Sequence, residues 1–133
     1  MKNEENRAIL KEKIQSGEYP LKVNKGQQRK HIEGTNEYRT YANQRKSKGK
    51  DPQSILTINE DDADMLIKKY AATCYVSISN GKDGNIKIRE YVQTDKIIGK
   101  WFGNGTYTDT RRAAIHYSKR GGHIVPISED YNG

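Results

Sequence analysis

The chain has 133 residues, a formal net charge of +7 at neutral pH, and 32% apolar residues. That length suits one domain over residues 1–133, with a modest core. No apolar run approaches the ~18 residues of a spanning helix, no secretory signal is visible, and Cys74, the only cysteine, excludes an internal disulfide or a thiolate metal cluster.

Residues 1–20 hold a polar helix over about 3–16, with Asn3 able to cap it. Ile9, Leu10 and Ile14 form its thin apolar stripe, and Gly17 and Pro20 end it. The charge excess lies early: residues 1–50 carry 13 Lys and Arg against 6 Asp and Glu. A localised basic excess favours polyanions such as RNA. Residues 21–54 are rich in Lys, Arg, Gln, Asn and Gly and show no hydrophobic period, and 44–50 read as a flexible basic loop. Residues 59–71 give the clearest helix. Asn59 caps it, acidic residues fill its first turn and Lys68 and Lys69 its last. Ala63, Leu66, Ile67, Tyr70 and Ala71 mark its buried face.

From Cys74 the period changes to two. Strands are expected over 74–79, from Ile86 through Tyr91-Val92, over 97–102, over 112–118 and over 123–127, with a turn from Asn80-Gly81 to Asn85 and a loop at 103–109. Pro126 argues that the last strand lies at an edge or ends there. Helices first and an antiparallel meander after them make an α+β layout with four to five strands. Nine of the eleven aromatics are Tyr, which can fill a core or stack on a base.

Three histidines are the candidate acid–base groups. Strand alternation sends His116 and Ser118 to one face, and Ile115 and Tyr117 to the other. An even turn at 119–122 would set Ser118 opposite His123 and bring all three onto that face; a one-residue change would remove His123. Arg112 shares the parity of His116 and is suited to phosphate, beside Thr110 and Arg111. His31 closes a basic cluster of Lys22, Lys25, Gln28, Arg29 and Lys30, with Gly26, Gly34 and Thr35 nearby. There is no metal-ligand spacing, no phosphate-binding loop and no nucleophile elbow.

The segments Val23-Asn24-Lys25-Gly26-Gln27-Gln28-Arg29-Lys30-His31-Ile32-Glu33-Gly34-Thr35 and Ile115-His116-Tyr117-Ser118-Lys119-Arg120-Gly121-Gly122-His123-Ile124-Val125-Pro126 resemble the two end motifs of the bacterial polymorphic toxin type 50 domain, and Ile97-Ile98-Gly99 resembles its middle strand. Arg111 stands where that family's pattern has Thr. The resemblance implies a ribonuclease of the broad class that includes barnase, the EndoU-like nucleases, certain colicins and RelE. It occurs in toxins and in phage proteins. It implies His31, Arg112, His116, Ser118 and His123 as site residues.

The combined expectation is RNA cleavage without metal or cofactor, by attack of the 2′-hydroxyl on the adjacent phosphorus. His31 would be the base and His116 or His123 the acid. Arg112 and one of Lys22, Lys25 or Lys119 would stabilise the transition state. Ser118 and Thr110 would orient phosphate oxygens, with Gln28, Thr35 and Arg111 as further RNA contacts. The expected partners are RNA, tRNA among the options, and an immunity or phage protein, with no membrane. The setting would be the cytoplasm of the producing or target cell, reached through a larger carrier or phage. The alternative is a non-catalytic nucleic-acid-binding or phage-associated protein-interaction module.

Overall fold

The computed structural model describes residues 2–131. Helix α1 spans Lys2–Gln15, α2 Lys25–Arg29, α3 Asn36–Ser47 and α4 Glu60–Tyr70. The strands are β1 (Ile55–Leu56), β2 (Tyr75–Asn80), β3 (Ile86–Gln93), β4 (Gly99–Gly103), β5 (Thr106–Thr110), β6 (Arg112–Tyr117) and β7 (His123–Ile127). They form two antiparallel sheets, ordered β1-β4-β5 and β2-β3-β6-β7. The architecture is the expected α+β, with early helices and later strands.

The four-stranded sheet is two-faced because its strands alternate. Val76, Ile88, Val92, Ala113, Ile115, Tyr117 and Ile124 are buried, and with Leu10 of α1 and Ala63, Leu66 and Ile67 of α4 they make the core. Asn59 caps α4 as expected, accepting a hydrogen bond from the Asp62 amide. Asn3 does something else. It lies inside α1, where its Oδ1 accepts from the Val76 amide, while Asn6 Nδ2 donates to the Val76 carbonyl. The helix thereby covers the exposed edge of β2, whose free backbone groups would otherwise invite another strand.

Three local expectations are corrected. Residues 21–54 contain two helices, and Gln44–Ser47 complete α3 rather than forming a loop. Helix α3 buries no residue, so it leaves no apolar period to read. Its support is the Thr35 hydroxyl, which accepts from the Tyr38 amide, with Glu37 in the first turn and Arg45 and Lys46 in the last. The supposed 103–109 loop is a tight turn at Asn104-Gly105, both with positive φ, leading into β5. The expected strand at 97–102 begins only at Gly99.

Pro126 lies on β7, the edge strand opposite β2. Beyond it the chain's early segment completes the layer. Val23 forms a parallel bridge with Gly122, the Asn24 amide donates to the Gly122 carbonyl, and the Gly122 amide donates to the Lys22 carbonyl. One step further along, Gln28 is wholly buried, and its side-chain amide donates to the Ile124 carbonyl and accepts from the Ile124 amide. This amide pair holds the segment leading to His31 against β7.

Candidate active site

The outer face of the four-stranded sheet carries the candidate chemistry. The register pairs Ser77 with Arg89, Arg89 with His116, and His116 with His123. These four side chains form one row across the sheet. The even hairpin places His116 and His123 directly opposite each other, with ring centroids 4.8 Å apart. The expected match of Ser118 with His123 is corrected. Ser118 sits within the turn and donates to the Gly121 carbonyl.

His31 extends the row past the edge of β7. Its ring lies 6.1 Å from that of His123 at 22°, and 5.8 Å from Tyr41 of α3 in an edge-on contact. It is 6% exposed. His31 Nδ1 lies 2.9 Å from the Ser54 carbonyl oxygen. A carbonyl only accepts, so Nδ1 carries the proton and Nε2 holds a free lone pair in the neutral ring. A buried, oriented imidazole with Nε2 open is the arrangement a general base requires.

All three imidazoles take up a proton less readily than a free ring. Burial is the largest cause in each case. For His31 the cations Arg45 and Lys30 add to it, while the Ser54 bond opposes it. His116 is pushed down to about 3, with Arg89, His31 and Lys87 adding to burial. His123 is pushed down to about 2, with His116, His31, Lys30 and Arg89 adding. The cost of charging any one ring reflects a shared, positive and poorly hydrated setting.

The linkage to folding has a definite sign. In the unfolded chain these rings titrate near their ordinary 6.5. Between that value and about 3 the unfolded chain holds more protons than the folded one, so stability falls as pH drops through this window. Above 6.5 these groups contribute no pH dependence. A His116→Gln/His123→Gln double variant should therefore lose less of its urea midpoint between pH 7 and pH 5 than the parent. Equal slopes would show that these rings are not held neutral by the fold.

The histidines open into a cleft of about 590 Å³. Lys30, Tyr41 and Arg45 line it from the helical side, and Trp101, Phe102 and Tyr131 from the strands and the C-terminal segment. Lys30 Nζ and the Arg45 guanidinium lie 5.4 Å and 5.6 Å from the centroid of the Tyr41 ring. His116 also borders a second hollow shared with Lys87 and Arg89. Among the described residues no three His, Cys, Asp or Glu side chains stand where they could hold a metal ion.

Several residues anticipated from sequence lie elsewhere. Gln28 is the brace on β7, and Thr35 caps α3. Thr110 is wholly buried and donates to the Ile127 carbonyl. Arg111 pairs with Glu129 at 2.9 Å. Arg112 shares the outer face but is spent on the C-terminal segment, donating to the carbonyls of Glu129 and Tyr131. Lys22, Lys25 and Lys119 do not line the cleft. The cations near the histidines are Lys30, Arg45 and Arg89 instead. Arg89 follows from register, since it is the residue opposite His116, and register between strands that are not joined by a hairpin is not visible in the sequence. Lys30 belongs to the basic cluster that leads into His31.

The fold and cleft define a small, basic α+β protein with three imidazoles gathered at one cleft. Residues 23–126 match the family model described as bacterial toxin 50, and the chain belongs to that family. The match takes in all three histidines and leaves α1 outside. Neither a curated protein nor a solved structure matches the chain. No helix among the described residues is long and apolar enough to cross a membrane.

Proposed function

We propose that the chain is an endoribonuclease that cleaves RNA by transesterification. The observation that carries this reading is the row His31–His123–His116, in which His31 is fixed by Ser54 with Nε2 free. In-line displacement needs base and acid on opposite sides of the phosphorus. His31 and His116 stand at the ends of the row and His123 between them. This order supports His31 Nε2 as acceptor of the 2′-hydroxyl proton. His116 then gives a proton to the departing 5′ oxygen, and His123 holds a non-bridging oxygen. The 2′-oxygen–phosphorus bond forms as the phosphorus–5′-oxygen bond breaks, leaving a 2′,3′-cyclic phosphate.

An acid must hold a proton when it acts. The empty cleft disfavours that, because burial and surrounding cations depress His116. A bound phosphodiester supplies the missing negative charge and raises its affinity for a proton. Lys30, Arg45 and Arg89 then offset the charge that builds on the phosphorane-like transition state. Substrate binding thus favours a charged acid, and the Ser54 bond, which favours the charged ring, helps His31 hold the proton it accepts.

Membership of a toxin family adds a biological setting: delivery into a target cell by a larger carrier and neutralisation by a cognate immunity protein. The direct test is incubation of total RNA with the protein, with and without EDTA, followed by analysis of product ends. Cleavage should persist with chelator and leave 2′,3′-cyclic phosphates. Dependence on a divalent ion, or 5′-phosphate ends, overturns the mechanism.

A further inference from the structure

Four aromatic side chains line the histidine cleft: Tyr41, Trp101, Phe102 and Tyr131. Three are already engaged. Tyr41 has Lys30 and Arg45 over its ring and His31 at its edge. Phe102 meets the edge of Tyr107 at 5.2 Å and 74°. Tyr131 stacks on Tyr91 at 5.4 Å and 29°. Trp101 has no ring, cation or hydrogen-bond partner among the described residues, its Nε1–H included, and it is only half-buried.

The strand nevertheless holds this indole in one place. Gly103, the next residue on the same side of β4, lies under it. A Cβ at Gly103 would run into Cζ3 and Cη2 of the indole. Gly103 does not have a positive φ, so close approach of the ring, rather than backbone conformation, is what a side chain there would violate. A large aromatic ring is thus seated on a glycine, bordering a cleft lined by Lys30 and Arg45, with its Nε1–H free of any partner among the described residues. The cleft volume falls within the ~300–1,000 Å³ typical of small-molecule sites.

We infer that Trp101 is the stacking platform for one nucleobase of the bound strand, with Gly103 as its seat. The inference rests on the ribonucleotide reading of the cleft but concerns positioning rather than chemistry. The cations hold phosphate and the indole holds the adjoining base, so the strand is fixed at two points around the histidines. Stacking accepts any base through its π-face, which makes Trp101 a positioning residue rather than a reader of sequence.

Trp101 is the only tryptophan, so its fluorescence reports this contact directly. The probe is a short oligodeoxynucleotide, which lacks the 2′-hydroxyl and remains intact in the proposed reaction. An abasic oligodeoxynucleotide of the same length is the control. The intact probe should quench Trp101 saturably, and the abasic one should bind through charge without quenching. Trp101→Ala should weaken binding of the intact probe by about tenfold or more, leave the abasic probe little changed, and be rescued by Trp101→Phe. Gly103→Ala, which keeps the indole but unseats it, should weaken binding in the same selective way. Equal quenching by both probes, binding without quenching, or no saturable binding overturns the inference. Quenching by the intact probe without cleavage of RNA leaves the platform standing and overturns the ribonuclease reading. RNA cleavage with an indifferent Trp101 does the reverse.

Discussion

Replacing His31 should reduce RNA cleavage by about 10² to 10⁴-fold, the range an acid–base group supplies. His31→Gln is the informative variant, because its amide can still donate to the Ser54 carbonyl and fill much of the space, yet it offers no base near neutral pH. His116→Gln should cause a loss of similar size. The pH–rate profiles separate the two roles: removing the base should erase the acidic limb, and removing the acid the basic limb. His123→Gln, which keeps a hydrogen-bond donor, should cost less than either. Full cleavage by folded His31→Gln and His116→Gln proteins would remove both from the mechanism.

The second large effect concerns stability. Glu90 is wholly buried, on the sheet's core face. Its carboxylate accepts from the backbone amides of Ala72, Thr73 and Cys74 at 2.7–2.9 Å, and from the Tyr117 hydroxyl at 2.7 Å. Ala72 sits there with a positive φ, rare for a residue with a side chain. The carboxylate therefore ties the strained exit of α4 to β3 and β6. Glu90→Ala leaves the buried Tyr117 hydroxyl and the half-buried Ala72 and Cys74 amides without their acceptor, while the Thr73 amide keeps the Tyr70 carbonyl, at a cost of about 2–4 kcal/mol. Against a total of about 5–15 kcal/mol, that is a large share of the stability of a small domain. Glu90→Gln keeps one acceptor oxygen and should lose less. Urea denaturation checks both, and a midpoint unchanged in Glu90→Ala would mean the donors find other partners.

How far the sequence could be read depends on what each element uses for support. Helix α4 and the β6–β7 hairpin bury an apolar face, so period and turn residues announced them. Helix α3 buries nothing and rests on a cap and on end charges, which a search for hydrophobic period does not see. β5 is Thr-Tyr-Thr-Asp-Thr, too polar to stand out from the turn before it. The site divides the same way. Strand parity gives the face of His116, whereas His123 joins it only if the turn is even, a condition the hairpin meets in a register that pairs His123 with His116 rather than Ser118. Arg89 came beside His116, and Trp101 to the cleft, through pairings and packing between distant segments. Thr110, Gln28 and Thr35 have phosphate-binding chemistry in a list of residues. In the fold, however, their polar atoms complete backbone hydrogen bonds, which a buried polar group must do.

The amide brace between Gln28 and β7 spans a sequence separation of 96 residues. The base comes from the segment that this brace holds, and the other two imidazoles from the final hairpin. A ribosome releasing this chain has therefore made His31 long before its partners exist. Until β7 pairs with β6 and accepts Gln28, the three rings have no common cleft. Completion of the fold and assembly of the site are thus one event, and a growing or truncated chain lacking the last strand carries the histidine without the site.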